Sequence, residues 1–201
     1  MILLFDLVIN GSMKRFYLAA LTAACLALAP NLASAQNGIG LKLTSTHRYF
    51  IQPGFADTVK SLTVGTTWPW EQPSQWGVAG LVGYWEASIG HWNPKSDPSG
   101  LFTQNSVHLG FTPVLRYYPY AQNQFFVEGA IGFHLITPTY RNAGKRFSST
   151  FNFGDHIAMG MVFGNHAEHE ISLRYQHFSN GGIKNPNPGE DFLQIRYSTH
   201  Y

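Results

Sequence analysis

The chain has 201 residues, of which 12% are charged and 15% are aromatic, and its formal net charge is +2 at pH 7. Soluble domains carry about 25% charged residues, so this composition predicts a surface that faces something other than water. The small net charge and the absence of a basic cluster argue against nucleic acid as a partner, and no stretch of residues 36–201 reaches the ~18 apolar residues of a membrane helix.

Residues 1–35 are predicted to be a cleaved secretory leader and not part of the fold. Lys14 and Arg15 form a basic segment, which is followed by an apolar stretch and by an Ala-Ser-Ala site at its end. Met13 directly precedes the basic pair, so the residues before it are interpreted as an upstream extension. Met1 and Met13 both stay open as the start.

Residues 36–201 are predicted to form a single domain. The only cysteine, Cys25, lies inside the leader. The mature chain is therefore predicted to contain no disulfide and no thiolate metal site.

Strands are predicted wherever apolar and polar side chains alternate with a period of two. Two weaker segments come first, around Gly40 to Tyr49 and around Asp57 to Trp68. Six clearer segments follow, over residues 79–92, 106–118, 125–135, 151–163, 170–176 and 192–201. Leucine, isoleucine and phenylalanine lie on one face, while arginine, glutamate and glutamine lie on the other. This is the inverse of a soluble barrel, and it predicts an all-β, eight-stranded antiparallel transmembrane β-barrel in the outer membrane of a Gram-negative bacterium.

The connections between these strands alternate in length. Long polar connections rich in Gly and Pro are predicted outside the cell, at residues 91–105, 137–149 and 180–189, and short turns on the periplasmic side, at residues 119–124 and 164–168. Tryptophan and tyrosine favour the membrane interface. The sequence therefore places Trp68, Trp70 and Trp76 in an inner aromatic girdle and ends its last strand on Tyr201.

A histidine and a serine lie two residues apart near the end of the penultimate predicted strand, at His177 and Ser179. That spacing puts both side chains on one face, within reach of a hydrogen bond. Their face is the lipid face, where polar groups are unfavourable without partners. As a pattern His-x-Ser is weak, and polar residues at a strand end are the alternative interpretation.

Neighbouring residues strengthen the catalytic interpretation. Asn180 offers an amide for an oxyanion, and Gly181 and Gly182, which follow it, let backbone N–H groups approach a carbonyl. Glu190 and Asp191 open the next strand, where a carboxylate can orient the histidine. Strict alternation turns Asp191 outward and Glu190 inward. Asp155 is also outward and falls about opposite the histidine, so it is a further candidate.

The segment RYQHFSNGGIKNPNPGEDFLQIRYS resembles the C-terminal signature of the lipid A 3-O-deacylase family, often called PagL, whose members are eight-stranded outer-membrane barrels. The close similarity covers roughly the last thirty residues. The rest of the chain agrees in length, leader and strand pattern. The resemblance implies an esterase that removes the acyl chain ester-linked at the 3-position of lipid A. It implies lipopolysaccharide in the outer membrane as the partner and no metal or organic cofactor. The sequence alone leaves the oligomeric state open, and a homodimer is one alternative.

The resemblance also implies roles for individual residues. It makes Ser179 the nucleophile, His177 the general base, and Asn180 with the Gly182 N–H the oxyanion hole. The orienting acid of the family is a glutamate. This matches Glu190 by residue type and Asp191 by spacing, so both stay open.

Two other functions remain open on the sequence alone. One is a non-enzymatic small barrel of adhesion or host-defence type, which acts through its loops. The other is a different lipid-modifying enzyme, such as an acyltransferase or a phospholipase, which needs a lumen pocket or a calcium site. The long loops hold few carboxylates, chiefly Asp97, Glu190 and Asp191, which argues against calcium. Lys184, in the last loop, is a candidate contact for lipid A phosphates.

Overall fold

The computed structural model of the chain describes residues 47–70, 80–95, 104–119, 124–142 and 144–200. The predicted leader, Trp76, Asp97 and Tyr201 lie outside these residues. In chain order the strands are β1 (Arg48–Phe55), β2 (Val59–Pro69), β3 (Leu81–Pro94), β4 (Ser106–Tyr117), β5 (Phe125–Thr137), β6 (Arg141–Asn142), β7 (Lys145–Arg146), β8 (Phe151–Phe163), β9 (His169–Ser179) and β10 (Glu190–His200).

Eight of these strands form one closed antiparallel barrel. Around the wall the order is β1-β10-β9-β8-β5-β4-β3-β2, while β6 and β7 form a separate two-stranded hairpin. The barrel closes because β1 pairs with both β2 and β10. The predicted eight-stranded antiparallel barrel is therefore confirmed. Among the described residues no helix is long and apolar enough to span a bilayer.

The predicted alternation of side chains is present in the barrel wall. In β4, Leu109 is 51% exposed and Phe111 is also exposed, while His108, which precedes them, and Arg116, which follows them, are buried. Successive side chains of a strand point to opposite faces. Every clear strand therefore presents an apolar outer face and a polar inner face, as a barrel in lipid requires.

The first strand lies further along the chain than predicted. The sequence placed it around Gly40 to Tyr49, but β1 runs over Arg48–Phe55 and residues before 47 are not described. The Pro53-Gly54 pair, which is typical of turns, lies inside β1. Gly54 faces the lumen, where a Cβ would meet Ser61 and Gln194. Its lack of a side chain thus makes room for polar neighbours and does not mark a turn.

Side chains fill most of the lumen, and a small pocket remains beside Arg48, Tyr84 and Arg196. Four arginines and three glutamates are buried in one connected set of ion pairs, Arg48, Arg116, Arg174, Arg196, Glu86, Glu128 and Glu170. Above this set the aromatic and aliphatic side chains form a closed cluster, Val59, Trp92, Ile136, Tyr140, Phe147, Phe178 and Phe192. Since Phe178 and Phe192 belong to β9 and β10, this cluster fixes the two strands that carry the predicted catalytic residues.

One end of the barrel, called the upper rim below, carries the connections 56–58, 138–150 and 180–189. The hairpin connection is held to the first turn, because Asn142 Nδ2 donates to Thr58 O at 2.8 Å. It is held to the last connection by Ser148 Oγ, which donates to Lys184 O at 2.7 Å. These described loops therefore form one tied surface above the barrel.

Aromatic side chains also group on the barrel wall. Trp70 packs on Trp85 at 5.3 Å between ring centroids, and Trp85 stacks on Phe111 at 5.2 Å. Trp68 joins the group through Phe111. The cluster lies toward the end opposite the upper rim, where the sequence placed the inner aromatic girdle.

Candidate active site

Three adjacent strands bring a histidine and two carboxylates side by side. His177 of β9 pairs with Asp155 of β8 on one side and with Asp191 of β10 on the other. Directly opposite residues of antiparallel strands share a face and lie close together. The three side chains therefore meet on the outward face of the barrel, just below the upper rim.

The histidine makes one strong contact. Its Nδ1 lies 2.7 Å from Asp191 Oδ1, a short charge-assisted distance. A hydrogen bond to a carboxylate places the proton on Nδ1 and leaves Nε2 as the basic nitrogen. Nε2 is buried and has no hydrogen-bond partner within the described part of the chain. Ser179, two residues further along β9, is only 4% exposed, and in this conformation it makes no hydrogen bond to that nitrogen.

Glu190 and Asp191 point to opposite sides of the wall, as strict alternation predicts. Glu190 is 2% exposed and faces inward. Its Oε2 accepts a hydrogen bond from the Tyr140 hydroxyl at 2.9 Å, and its Oε1 pairs with Lys145 Nζ at 3.0 Å. Of the two carboxylates that the sequence left open, Asp191 is the one in contact with His177.

The Asn180 side chain is engaged by the upper loops. Its Nδ2 donates to Lys184 O at 2.7 Å, to Ser148 Oγ at 3.0 Å and to Ser149 Oγ at 3.1 Å. Its Oδ1 accepts the Gly182 N–H at 3.0 Å. Both of the donors that the sequence suggested for an oxyanion hole are therefore used within the loop in this conformation.

Two glycine positions shape the loop that follows Ser179. Gly182 has a φ of +82°, in the left-handed region that favours glycine. At the other end of the loop Gly189 has a φ of +68°, and a Cβ there would lie 2.6 Å from His177 Cε1. The loop thus returns against the imidazole at a point where only glycine leaves room.

The structure adds contacts that sequence reasoning missed. The Tyr175 side chain forms a hydrogen bond to the Asp191 carboxylate, and Asn187 Oδ1 accepts the Asn180 N–H at 2.9 Å. Tyr175 was recognised only as an outward residue of β9. Its position two residues before His177, on the same face of the strand, was the signal that could have identified Tyr175 as a neighbour of the site, because side chains two apart in a strand are neighbours.

No group of three or more His, Cys, Asp or Glu side chains within the described ranges is arranged to hold a metal ion. His169, which follows the turn between β8 and β9, shares a hydrogen bond with the Tyr197 hydroxyl at 2.8 Å. The groups at the site are those of acid-base and nucleophilic chemistry: an imidazole, a carboxylate and a hydroxyl.

An apolar outer face suits the barrel to lipid, and an imidazole-carboxylate pair near a serine on that face is suited to hydrolysis of a lipid ester. The comparisons with known proteins specify the family. The profile described as "Lipid A 3-O-deacylase (PagL)" matches residues 60–200. The chain belongs to this family, as the C-terminal resemblance predicted.

Relatives and a solved structure agree over most of the chain. It is 31% identical over 152 residues to "Lipid A deacylase PagL" of Bordetella bronchiseptica, covering 74% of this chain and 80% of that one. It is 30% identical over 138 residues to "Lipid A deacylase PagL" of Pseudomonas aeruginosa, covering 67% and 74%. The crystal structure of the outer membrane enzyme PagL superposes with a TM-score of 0.64 at 26% identity, over 77% of this chain and 99% of that one. The fold is thus that of an outer-membrane hydrolase family.

Proposed function

We propose that this chain is a serine esterase that hydrolyses the 3-O-linked acyl chain of lipid A. In this proposal Ser179 is the nucleophile, His177 the general base and Asp191 the orienting acid. The observation that carries it is the 2.7 Å contact between His177 Nδ1 and Asp191 Oδ1 on the outward face, beside Ser179. Membership in the lipid A 3-O-deacylase family supplies the substrate class.

The reaction follows the order of serine hydrolases. His177 Nε2 takes the proton of Ser179 Oγ as the oxygen attacks the ester carbonyl carbon. The protonated imidazole then gives that proton to the departing 3-hydroxyl oxygen of the sugar, which leaves the acyl group on the serine. Water attacks this acyl-enzyme with His177 again as base, and the fatty acid and free Ser179 are released. Asp191 holds the imidazole tautomer and stabilises the imidazolium.

The oxyanion is assigned to Asn180 and the Gly182 N–H, in agreement with the resemblance. Both groups are bonded within the loop in the described conformation. Their use therefore requires that the carbonyl oxygen displace the internal acceptors as the substrate enters. Such donors are worth about 3 to 4 kcal/mol each in hydrolases, which is enough to favour the exchange at the transition state.

Access is lateral. The catalytic face is continuous with the apolar outer wall, where Leu173 and Leu193 are exposed on the same strands. A lipid in the outer leaflet reaches this face by diffusion in the membrane plane, with its ester near the depth of the upper rim. We propose that the substrate enters from the bilayer and that the lumen takes no part in binding it.

The deciding experiment is mass spectrometry of lipid A from cells that express the chain or its Ser179→Ala variant at equal outer-membrane abundance. Loss of one hydroxyacyl chain that depends on Ser179 is the expected result. Unchanged lipid A in both strains, also after detergent release of the barrel, would contradict the proposal and favour a non-enzymatic adhesion or host-defence barrel. Transfer of the acyl chain to another lipid would instead identify an acyltransferase.

The proposed reaction needs no metal or organic cofactor, because the attacking and leaving groups are handled by protein side chains and water.

A homodimer remains a prediction. Light scattering of the detergent-purified barrel, corrected for bound detergent, would distinguish one chain from two.

A further inference from the structure

The hairpin of β6 and β7 has two different faces. Its register pairs Asn142 with Lys145 and Arg141 with Arg146. Asn142 is buried and donates to Thr58 O and to the Tyr140 hydroxyl's oxygen, at 2.8 and 3.1 Å. Lys145 pairs with Glu190 at 3.0 Å. One face is therefore anchored to the barrel through the Asn142 Nδ2 hydrogen bonds and the Lys145–Glu190 ion pair.

The other face carries two like charges. Arg141 and Arg146 are both exposed and lie directly opposite each other across the hairpin. Like charges in this arrangement repel and destabilise the pairing. No carboxylate among the residues that the structure describes forms an ion pair with either guanidinium. Two adjacent guanidinium groups offer the forked donors that bind phosphate well.

This basic face is coupled to the catalytic strands. The anchored residue Lys145 contacts Glu190, whose neighbour Asp191 contacts His177. Further along the same connection, Ser149 accepts a hydrogen bond from Asn180, the residue after the proposed nucleophile. The connection that contains the hairpin thus lies on the upper rim and contacts both the strand and the loop that carry the proposed site.

We propose that Arg141 and Arg146 form an anion site that binds a phosphate group of lipid A while its acyl ester is at Ser179. The inference rests on the proposed function for the identity of the lipid. It adds a recognition element outside the catalytic residues, and it accounts for two neighbouring cations that the fold itself leaves unbalanced. Phosphate binding would neutralise their repulsion and hold the sugar over the rim.

The test measures binding in a background that cannot cleave. With Ser179→Ala throughout, the dissociation constants of bisphosphorylated lipid A and of its two monophosphorylated forms are measured in micelles, with and without Arg141→Gln/Arg146→Gln. The double variant should weaken binding of the bisphosphorylated lipid about tenfold, the equivalent of about 1.4 kcal/mol. It should leave unchanged the affinity for the form that lacks the bound phosphate.

Lys60 provides a matched control. It is exposed on β2 near the upper rim, two residues beyond Thr58, and it belongs to the barrel wall and not to the hairpin. Lys60→Gln is compared with the single variant Arg146→Gln, because each removes one positive charge, and Lys60→Gln should leave every dissociation constant unchanged. The gel migration of each variant is compared before and after heating. A shift on heating equal to that of the parent chain establishes that the barrel is folded.

Three outcomes would overturn the inference. The first is equal weakening for all three lipids, and the second is an equal effect of Lys60→Gln, since either would indicate only a general field of positive charge. The third is displacement of the lipid by inorganic phosphate at a concentration equal to that of the lipid, which would make free phosphate the ligand. Because binding is measured without cleavage, the result does not depend on whether the wild-type chain deacylates lipid A.

Discussion

At the residue scale, one hydrogen bond distinguishes two neighbouring carboxylates. Asp191 contacts the imidazole, whereas Glu190 contacts Tyr140 and Lys145 on the lumen side. The alternation of strand side chains was sufficient to orient these two residues from the sequence. The contacts of Glu190 were not predictable, because its partners lie about 45 to 50 positions away in a loop without periodicity.

Asp191→Asn is expected to lower kcat by about 10³- to 10⁴-fold, because an amide keeps the shape but favours the wrong imidazole tautomer and does not stabilise the imidazolium. Initial rates on purified lipid A would measure this. Asp191→Glu, which restores the charge, is expected to recover most of the activity. An equal loss in Glu190→Gln with unchanged thermal stability would show that the acid had been assigned to the wrong residue.

Asp155→Asn is expected to reduce kcat by a smaller factor, about tenfold, because Asp155 flanks His177 without a direct hydrogen bond and acts on the imidazolium only through space. The rate should fall further in high salt for the wild type than for the variant, since the variant lacks the charge that salt screens. A loss as large as that of Asp191→Asn would mean that the two carboxylates exchange roles.

At the scale of elements, periodicity predicted the strands well because each wall residue faces either lipid or the packed lumen. It placed β1 too early because Pro53 and Gly54 interrupt its pattern. It gave no sign of the β6–β7 hairpin, whose two-residue strands are held by tertiary contacts such as that of Asn142 with Thr58. The loop that follows Ser179 was predicted from its residue types, but its internal hydrogen bonds were not.

Gly189→Ala is expected to lower kcat by about 10²-fold, because a Cβ would displace the imidazole and small misplacements of catalytic groups have effects of this size. The added methyl group also meets a backbone with positive φ. The measurement is kcat on lipid A alongside gel migration of the folded barrel. Gly144→Ala is a matched control, since Gly144 has a φ of +82° but a Cβ there would have no neighbour within 4 Å. Equal losses in both variants would attribute the effect to backbone strain alone.

At the scale of the whole molecule, the buried ion pairs and the proposed catalytic site lie on opposite sides of the same wall. Buried arginines and glutamates hold the strands together from within, while the site lies on the outer face. Composition and alternation predicted polar residues inside. The pairing of individual arginines with individual glutamates depends on the stagger of the strands. A single sequence does not specify that stagger.

Glu86→Gln is expected to destabilise the barrel by about 3 to 5 kcal/mol, because it leaves Arg174 and Arg196 without their shared carboxylate in a buried site. The temperature at which the barrel loses its fast gel migration should fall. The kcat on lipid A, measured well below that temperature, should stay within about twofold of wild type. A large loss of kcat in the still-folded variant would show that the lumen network takes part in catalysis.

The proposed site faces sideways into the membrane, so its substrate would arrive in two dimensions. The rate then depends on the surface concentration of lipid A, which is its mole fraction in the leaflet or micelle, and does not depend directly on its bulk concentration. Adding inert detergent at constant total lipid A should slow the reaction by surface dilution, and concentrating the mixed micelles at fixed composition should leave the turnover per enzyme unchanged.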